Sequence, residues 1–206
     1  RATYLAFRGL LPDFPLPRVY LVFGAGNSGG TAQPDAQVLG LEVLCKEGTT
    51  ATQFRTTMRR FFAHETVHTW QEWPSEPFAD PLLLFALMEG VPDFLSELVT
   101  GLEPDPEREA WARPREADIW RRFLEDRAAM QSGNEELSRA AYKRWFANAG
   151  QRFEGVPEGW PGELGYWVGR NIARAYFAKV TGDREALVIL ISAQDPAAIL
   201  QASGYA

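Results

Sequence analysis

The sequence is poor in several things that narrow its reading. Among 206 residues there is one cysteine, Cys45, so no intrachain disulfide can form. Cys45 lies in an apolar run, Val43-Leu44-Cys45, and is expected as a buried small hydrophobe rather than a nucleophile. One cysteine leaves the compartment open. No apolar stretch approaches the roughly 20 residues that a membrane-spanning helix needs. The longest, Ala186 to Ser192, reads as a strand or helix in a core. Lys/Arg clusters are also missing. Arg59-Arg60 and Arg121-Arg122 are short pairs on amphipathic stretches, and the net charge is -6, so no basic face for nucleic acid is expected. There is no internal repeat and no low-complexity segment.

What remains is an ordinary globular composition, 46% hydrophobic and 23% charged, with seven tryptophans. The length suits a single domain over residues 1–206, with a strand-rich part (1–48) and a helical part (49–206). The start at Arg1 rather than Met reads as a mature form with its leader removed, periplasmic or extracellular; a trimmed start is the alternative.

Arg18 to Gly24 and Gln37 to Cys45 are rich in β-formers and read as two strands joined by a Gly-, Asn- and Ser-rich loop. Thr50-x-x-Gln53 has the form of a capping box opening a helix of about residues 51–72, which Pro74 closes. Asp80-Pro81 opens another, running toward Thr100 with Gly101 as its stop. Pro92 predicts a kink there, or a fresh helix from Val91. Further helices are expected at about 107–130, 134–149 and 163–181, and after Pro196, with a break at Thr181-Gly182-Asp183 and a helix or strand over 184–192. Pro104 to Pro114 reads as a charged surface connection. The fold class is α+β, mostly α: a small N-terminal antiparallel sheet and a helical bundle.

Both histidines fall in one pattern, His64-Glu65-Thr66-Val67-His68, inside a predicted helix. Side chains four apart share a helix face, so His64 and His68 can present nitrogens to one metal ion, with Glu65 beside it. This is the arrangement that binds zinc and lets a glutamate act as general base on a zinc-bound water, whose pKa falls to about 7. A third ligand must then be a carboxylate. Glu89, 21 residues beyond His68, is the best placed, with Glu97 and Asp93 as alternatives. Asp93, four residues past Glu89, suits an acceptor for the N–H of a ligating histidine. In Gly165 to Tyr176, Tyr166 and Arg170 lie one turn apart and are candidates to stabilise an oxyanion; packing in an amphipathic helix is the other reading. Gly169 would allow close helix–helix approach. Trp70, Trp73, Trp160 and Trp167 lie near these segments and are candidates to line a cleft. Gly24-x-Gly26-x-x-Gly29 matches a dinucleotide-binding spacing, but a strand rather than a helix follows, so a loop beside an antiparallel edge strand is expected instead, an edge able to pair with an extended peptide.

The order of these segments resembles gluzincin metallopeptidases, in which a His-Glu-x-x-His helix is followed about twenty residues later by Glu-x-x-x-Asp. A closer resemblance is to a bacterial family of predicted zinc-dependent proteases, known mostly as a domain of unknown function, in HETVHTWQ (64–71), EGVPDF (89–94) and GYWVGRNIARAY (165–176). Pro92 stands where that family would have a small helix former. The resemblance implies a gluzincin-like domain and one Zn2+ per chain on His64, His68 and Glu89. It implies Glu65 as base, Asp93 behind His64 or His68, Tyr166 at the oxyanion with Arg170 in reserve, and a peptide or protein substrate. The expectation is therefore a zinc metallopeptidase. A catalytically idle zinc-binding scaffold and a helical interaction domain without metal are the alternatives.

Overall fold

The computed structural model describes residues 1–74, 78–149, 155–180 and 182–205. They form two compact units. One comprises Arg1–Glu72 with Pro92–Pro104, the other Trp73–Val91 with Asp105–Ala206. Thr181, expected within a chain break, lies outside the described residues.

In the first unit, α1 (Ala2–Leu10) precedes a three-stranded sheet of β1 (Arg18–Val22), β2 (Gly30–Gln33) and β3 (Ala36–Gly40). The sheet is mixed, order β1-β3-β2, with β1 parallel and β2 antiparallel to the central β3. This corrects the expected antiparallel pair. The sequence Gly-Thr-Ala-Gln of β2 shows no apolar alternation, so it reads as loop until a hairpin partner supplies its hydrogen bonds. The second expected strand stops at Gly40, where α2 (Leu41–Glu47) begins. Leu44 faces inward on α2 and Cys45, next along, is exposed rather than buried. The helix α1 carries no strong sequence signal and is held by burial of Phe7.

Thr50 caps α3 (Ala51–His68) with a complete capping box: its side chain accepts from Gln53 N–H, and the Gln53 side chain accepts from Thr50 N–H at 3.0 Å. Gln37 on β3 is fully buried and donates to Thr66 Oγ1 at 2.8 Å, fixing α3 against the sheet. Trp70, just past α3, donates to the carbonyl of Pro15 and packs edge-on against Phe7.

The helix α4 (Pro81–Thr100) runs without interruption through Pro92, so no second helix starts near Val91. Proline removes one backbone donor from the ladder. Burial of Leu83, Leu87, Val91 and Leu95 on an almost wholly apolar helix outweighs that loss.

In the second unit, the expected helix over 107–130 is divided at Pro114 into α5 (Pro106–Ala112), a 3-10 turn and α6 (Glu116–Gln131). Then follow α7 (Glu135–Phe146), α8 (Leu164–Lys179), α9 (Arg184–Ser192) and α10 (Pro196–Ser203). The stretch 184–192, open between strand and helix in the sequence, is helix. Asp126 on α6 is buried and accepts from Arg144 Nη1 at 2.6 Å and Trp145 Nε1 at 2.8 Å. Gly90 of α4 and Gly169 of α8 meet with no room for a side chain: a Cβ at Gly169 would overlap the carbonyl of Ala86, and one at Gly90 would overlap the Gly169–Arg170 backbone. Gly169 thus provides the close helix approach its position suggested. The protein is α+β and mostly helical. Among the described residues no helix is long and apolar enough to cross a membrane.

Candidate metal centre

The last two turns of α3 place His64 and His68 on one face, their rings 4.7 Å apart and their Nε2 atoms 3.0 Å apart. Each ring is held from behind. His64 Nδ1 lies 2.8 Å from Asp93 Oδ1 on α4, and Asp93 is buried. His68 Nδ1 lies 2.7 Å from Oε1 of Gln71, which is also buried. A carboxylate and an amide oxygen only accept, so in this arrangement each Nδ1 is the donor and each Nε2 is turned toward the other ring.

The 3.0 Å between the two Nε2 atoms is spanned either by a proton on one ring or by a cation that both rings bind. Zinc–nitrogen bonds of about 2.0–2.1 Å at a tetrahedral angle put ligand nitrogens about 3.3 Å apart. The observed pair needs only a small opening to fit.

A carboxylate completes the group. Among the described residues His64, His68 and Glu89 each offer one ligand atom, and all of these lie within 4.8 Å of one another. Glu89 sits one turn before Asp93 on the same uninterrupted helix, so the helix that brings Asp93 to His64 also carries Glu89 to that face. Pro92, between them, does not break that spacing. Glu97 is not a member of the group. The donor set of two imidazoles and one carboxylate suits zinc. Glu65 is buried with its carboxylate against the β2 backbone, where a Cβ on Gly30 would overlap it.

Tyr166 and Arg170 belong to α8 in the second unit. The Tyr166 ring is half-buried, with the Arg108 guanidinium 5.3 Å from its centre. Arg170 is 2% exposed and ion-paired with Glu109, which also accepts from Trp167 Nε1 at 2.7 Å. Arg170 is therefore part of a buried charge network. Of the tryptophans named above, Trp70 and Trp167 are anchored in the core through their indole N–H groups.

The glycine-rich loop after β1 has an internal occupant. Glu42 Oε1 accepts from the N–H groups of Gly24 and Gly26, the latter at 2.9 Å. Its own backbone N–H, and then those of Gly26 and Gly24, hold its carboxyl below the ordinary glutamate range. These two loop N–H groups are thus engaged within the chain. Sequence reasoning passed over Gln71 and Gly30. Gln71 had a signal, its place three residues past a candidate ligand. Gly30 had none, because its role depends on the β2 backbone meeting α3.

A family model described as gliding motility protein GldB, labelled a lipoprotein family, matches residues 84–206. No curated protein and no solved structure matches the chain. The family match overturns the metallopeptidase expectation. The matching family is one of motility proteins rather than gluzincins or other zinc proteases, so the hydrolase reading and the resemblance behind it are withdrawn. The substrate-directed roles expected of Glu65, Tyr166 and Arg170 go with it. The match covers Glu89 and Asp93 but begins after His64 and His68, so it neither assigns nor removes a metal.

Proposed function

The chain belongs to the family of the gliding motility protein GldB, and on that premise we propose that it is a non-enzymatic, exported component of a motility apparatus, acting by binding other proteins. One zinc ion, held by His64, His68 and Glu89, ties α3 to α4 in this reading. The family's lipoprotein label supports a place at a membrane surface outside the cytoplasm. The absence of a spanning helix among the described residues fits a chain that does not itself cross the bilayer as a helix.

The observation that carries the metal is the convergence of His64, His68 and Glu89, whose ligand atoms all lie within 4.8 Å of one another, with each imidazole held on its Nδ1 side by a buried side chain. Without an ion the 3.0 Å contact is an N–H···N hydrogen bond between the two rings. With one, each ring is oriented by a hydrogen bond on its far side, the usual support of a ligating histidine. A bound ion would supply a cross-link between two helices, and such a link stabilises the fold because the unfolded chain lacks the assembled site.

Two measurements test the reading. Metal analysis of protein purified without added zinc should find one zinc per chain, absent in His68→Ala. Deletion of the gene in its host should impair surface motility, and both the wild type and Glu65→Gln should restore it. Failure of a folded, exported Glu65→Gln protein to restore movement would overturn the non-enzymatic reading.

A further inference from the structure

Of the two side chains that hold the histidine pair from behind, Gln71 is able to change sides. Asp93 only accepts. The side-chain amide of Gln71 has an oxygen that accepts and a nitrogen that donates, and turning it over about its last bond exchanges them. With its oxygen toward His68, the Nε2 of Gln71 is buried with no hydrogen-bond partner among the described residues. A buried N–H without a partner is rare in folded proteins, and an under-satisfied carbonyl is better tolerated. The side chain is 7% exposed, so water does not readily supply the missing contact.

We propose that Gln71 is a positioning residue that sets the tautomer of His68 and so gives the site two closed states, one with metal and one without. The proposal rests on the metal reading above. With metal, His68 Nδ1–H donates to Gln71 Oε1 and Nε2 faces the ion. Without metal, the amide is turned over. Its nitrogen donates to His68 Nδ1, and the His68 proton sits on Nε2 and is donated across the 3.0 Å gap to His64 Nε2. His64 keeps its Nδ1–H on Asp93 in both states. The change moves one proton from one nitrogen of the His68 ring to the other, so charge and proton count are unchanged.

The local chain makes this possible. Past His68 the helix tightens, with Thr69 N–H bonded to the Thr66 carbonyl and Trp70 N–H to that of Val67. That turn returns Gln71 to the His68 face. Trp70, anchored on Pro15, fixes where the turn ends. An asparagine here would be one methylene too short to reach. A glutamate would only accept, and would lock His68 in its metal-ready form.

The experiment uses the full chain as wild type, Gln71→Leu and Gln71→Glu, with zinc alone as the probe. Competition titration reads affinity, 15N NMR of the histidine rings reads the tautomer in metal-free protein, and circular dichroism confirms folding. Gln71→Leu should bind zinc about 10–100-fold more weakly, as for other outer supports of metal ligands. Metal-free wild type should show His68 protonated on Nε2. Gln71→Glu should show it on Nδ1 and bind zinc more tightly than wild type. Should Gln71→Leu fail to fold, Gln71→Asn replaces it as the loss-of-contact variant; should Gln71→Glu fail to fold, the wild-type tautomer decides. Wild-type affinity in folded Gln71→Leu, or metal-free His68 protonated on Nδ1 in wild type, overturns the role of Gln71. Failure of wild type to bind zinc overturns the metal reading itself, which is a different result.

Discussion

Asp93 Oδ1 lies 2.8 Å from His64 Nδ1, joining α4 to α3 by a hydrogen bond whose acceptor is buried on a helix interrupted in sequence, though not in structure, by Pro92. The bond fixes the imidazole's tautomer and turns its other nitrogen toward His68. An aspartate in this place is worth more than its own hydrogen bond, because ring orientation decides whether two donors converge on one point.

Removing that acceptor should weaken metal binding while leaving the ligands in place. Asp93→Ala is expected to lower zinc affinity about 10–100-fold, whereas His68→Ala should abolish tight binding. Equilibrium competition with a zinc chelator distinguishes the two. Full zinc occupancy in His68→Ala would show that the ion sits elsewhere.

Glu65→Gln replaces a buried carboxylate with an amide of the same shape. If the chain acts by binding, the variant should retain zinc at one ion per chain and support movement of the host as well as wild type does. Metal analysis and a motility assay on the same strain give the answer.

The crossing of α4 and α8 tolerates no side chain. Gly169→Ala would drive a methyl group into the Ala86 carbonyl, backbone against backbone, with no flexible group to yield. The expected loss is about 3 kcal/mol or more, at the upper end for overpacking. Urea unfolding measures it; a loss below about 1 kcal/mol would mean that the helices separate freely.

Asp126 holds Arg144 and Trp145, both buried, at 2.6 and 2.8 Å. Asp126→Ala leaves a buried guanidinium and an indole N–H without this acceptor and should cost about 3–5 kcal/mol. Asp126→Asn keeps the shape and an acceptor oxygen, so it should cost less. The difference in unfolding midpoint between the two variants separates charge from packing.

Glu42 supplies a pH dependence. Its folded-state pKa is lowered, so the unfolded chain binds its proton first as pH falls. The stability it contributes is present above the ordinary value of 4.5 and is lost as pH drops through the lower folded-state value. Glu42→Gln should therefore show a shallower loss of stability than wild type below about pH 4.5, measured by denaturant unfolding at a series of pH values. Equal slopes would mean that the carboxylate's bonds to Gly24 and Gly26 add nothing.

What could be read in the sequence was what local periodicity and capping encode. Thr50 and Gln53 announce α3, Asp80-Pro81 announces α4, and the four-residue spacing of His64 and His68 puts both on one face before any neighbour is known, because a helix fixes its faces by itself. The sequence misled where a residue's meaning depends on distant partners. The motif from 64 to 68 suggested a peptidase, but such a motif specifies a geometry and not an activity, and the family match lies over residues 84–206 and points to motility. Tertiary structure alone decided the rest. The strand β2 exists because β3 completes its ladder. Pro92 stays helical because the apolar faces around it are buried. Gln71 stands behind His68 because the turn after α3 is pinned by Trp70 on Pro15. Each of these is a contact with another segment of the chain, adjacent for β2 and distant for Trp70 on Pro15, and no propensity of the residues themselves contains it.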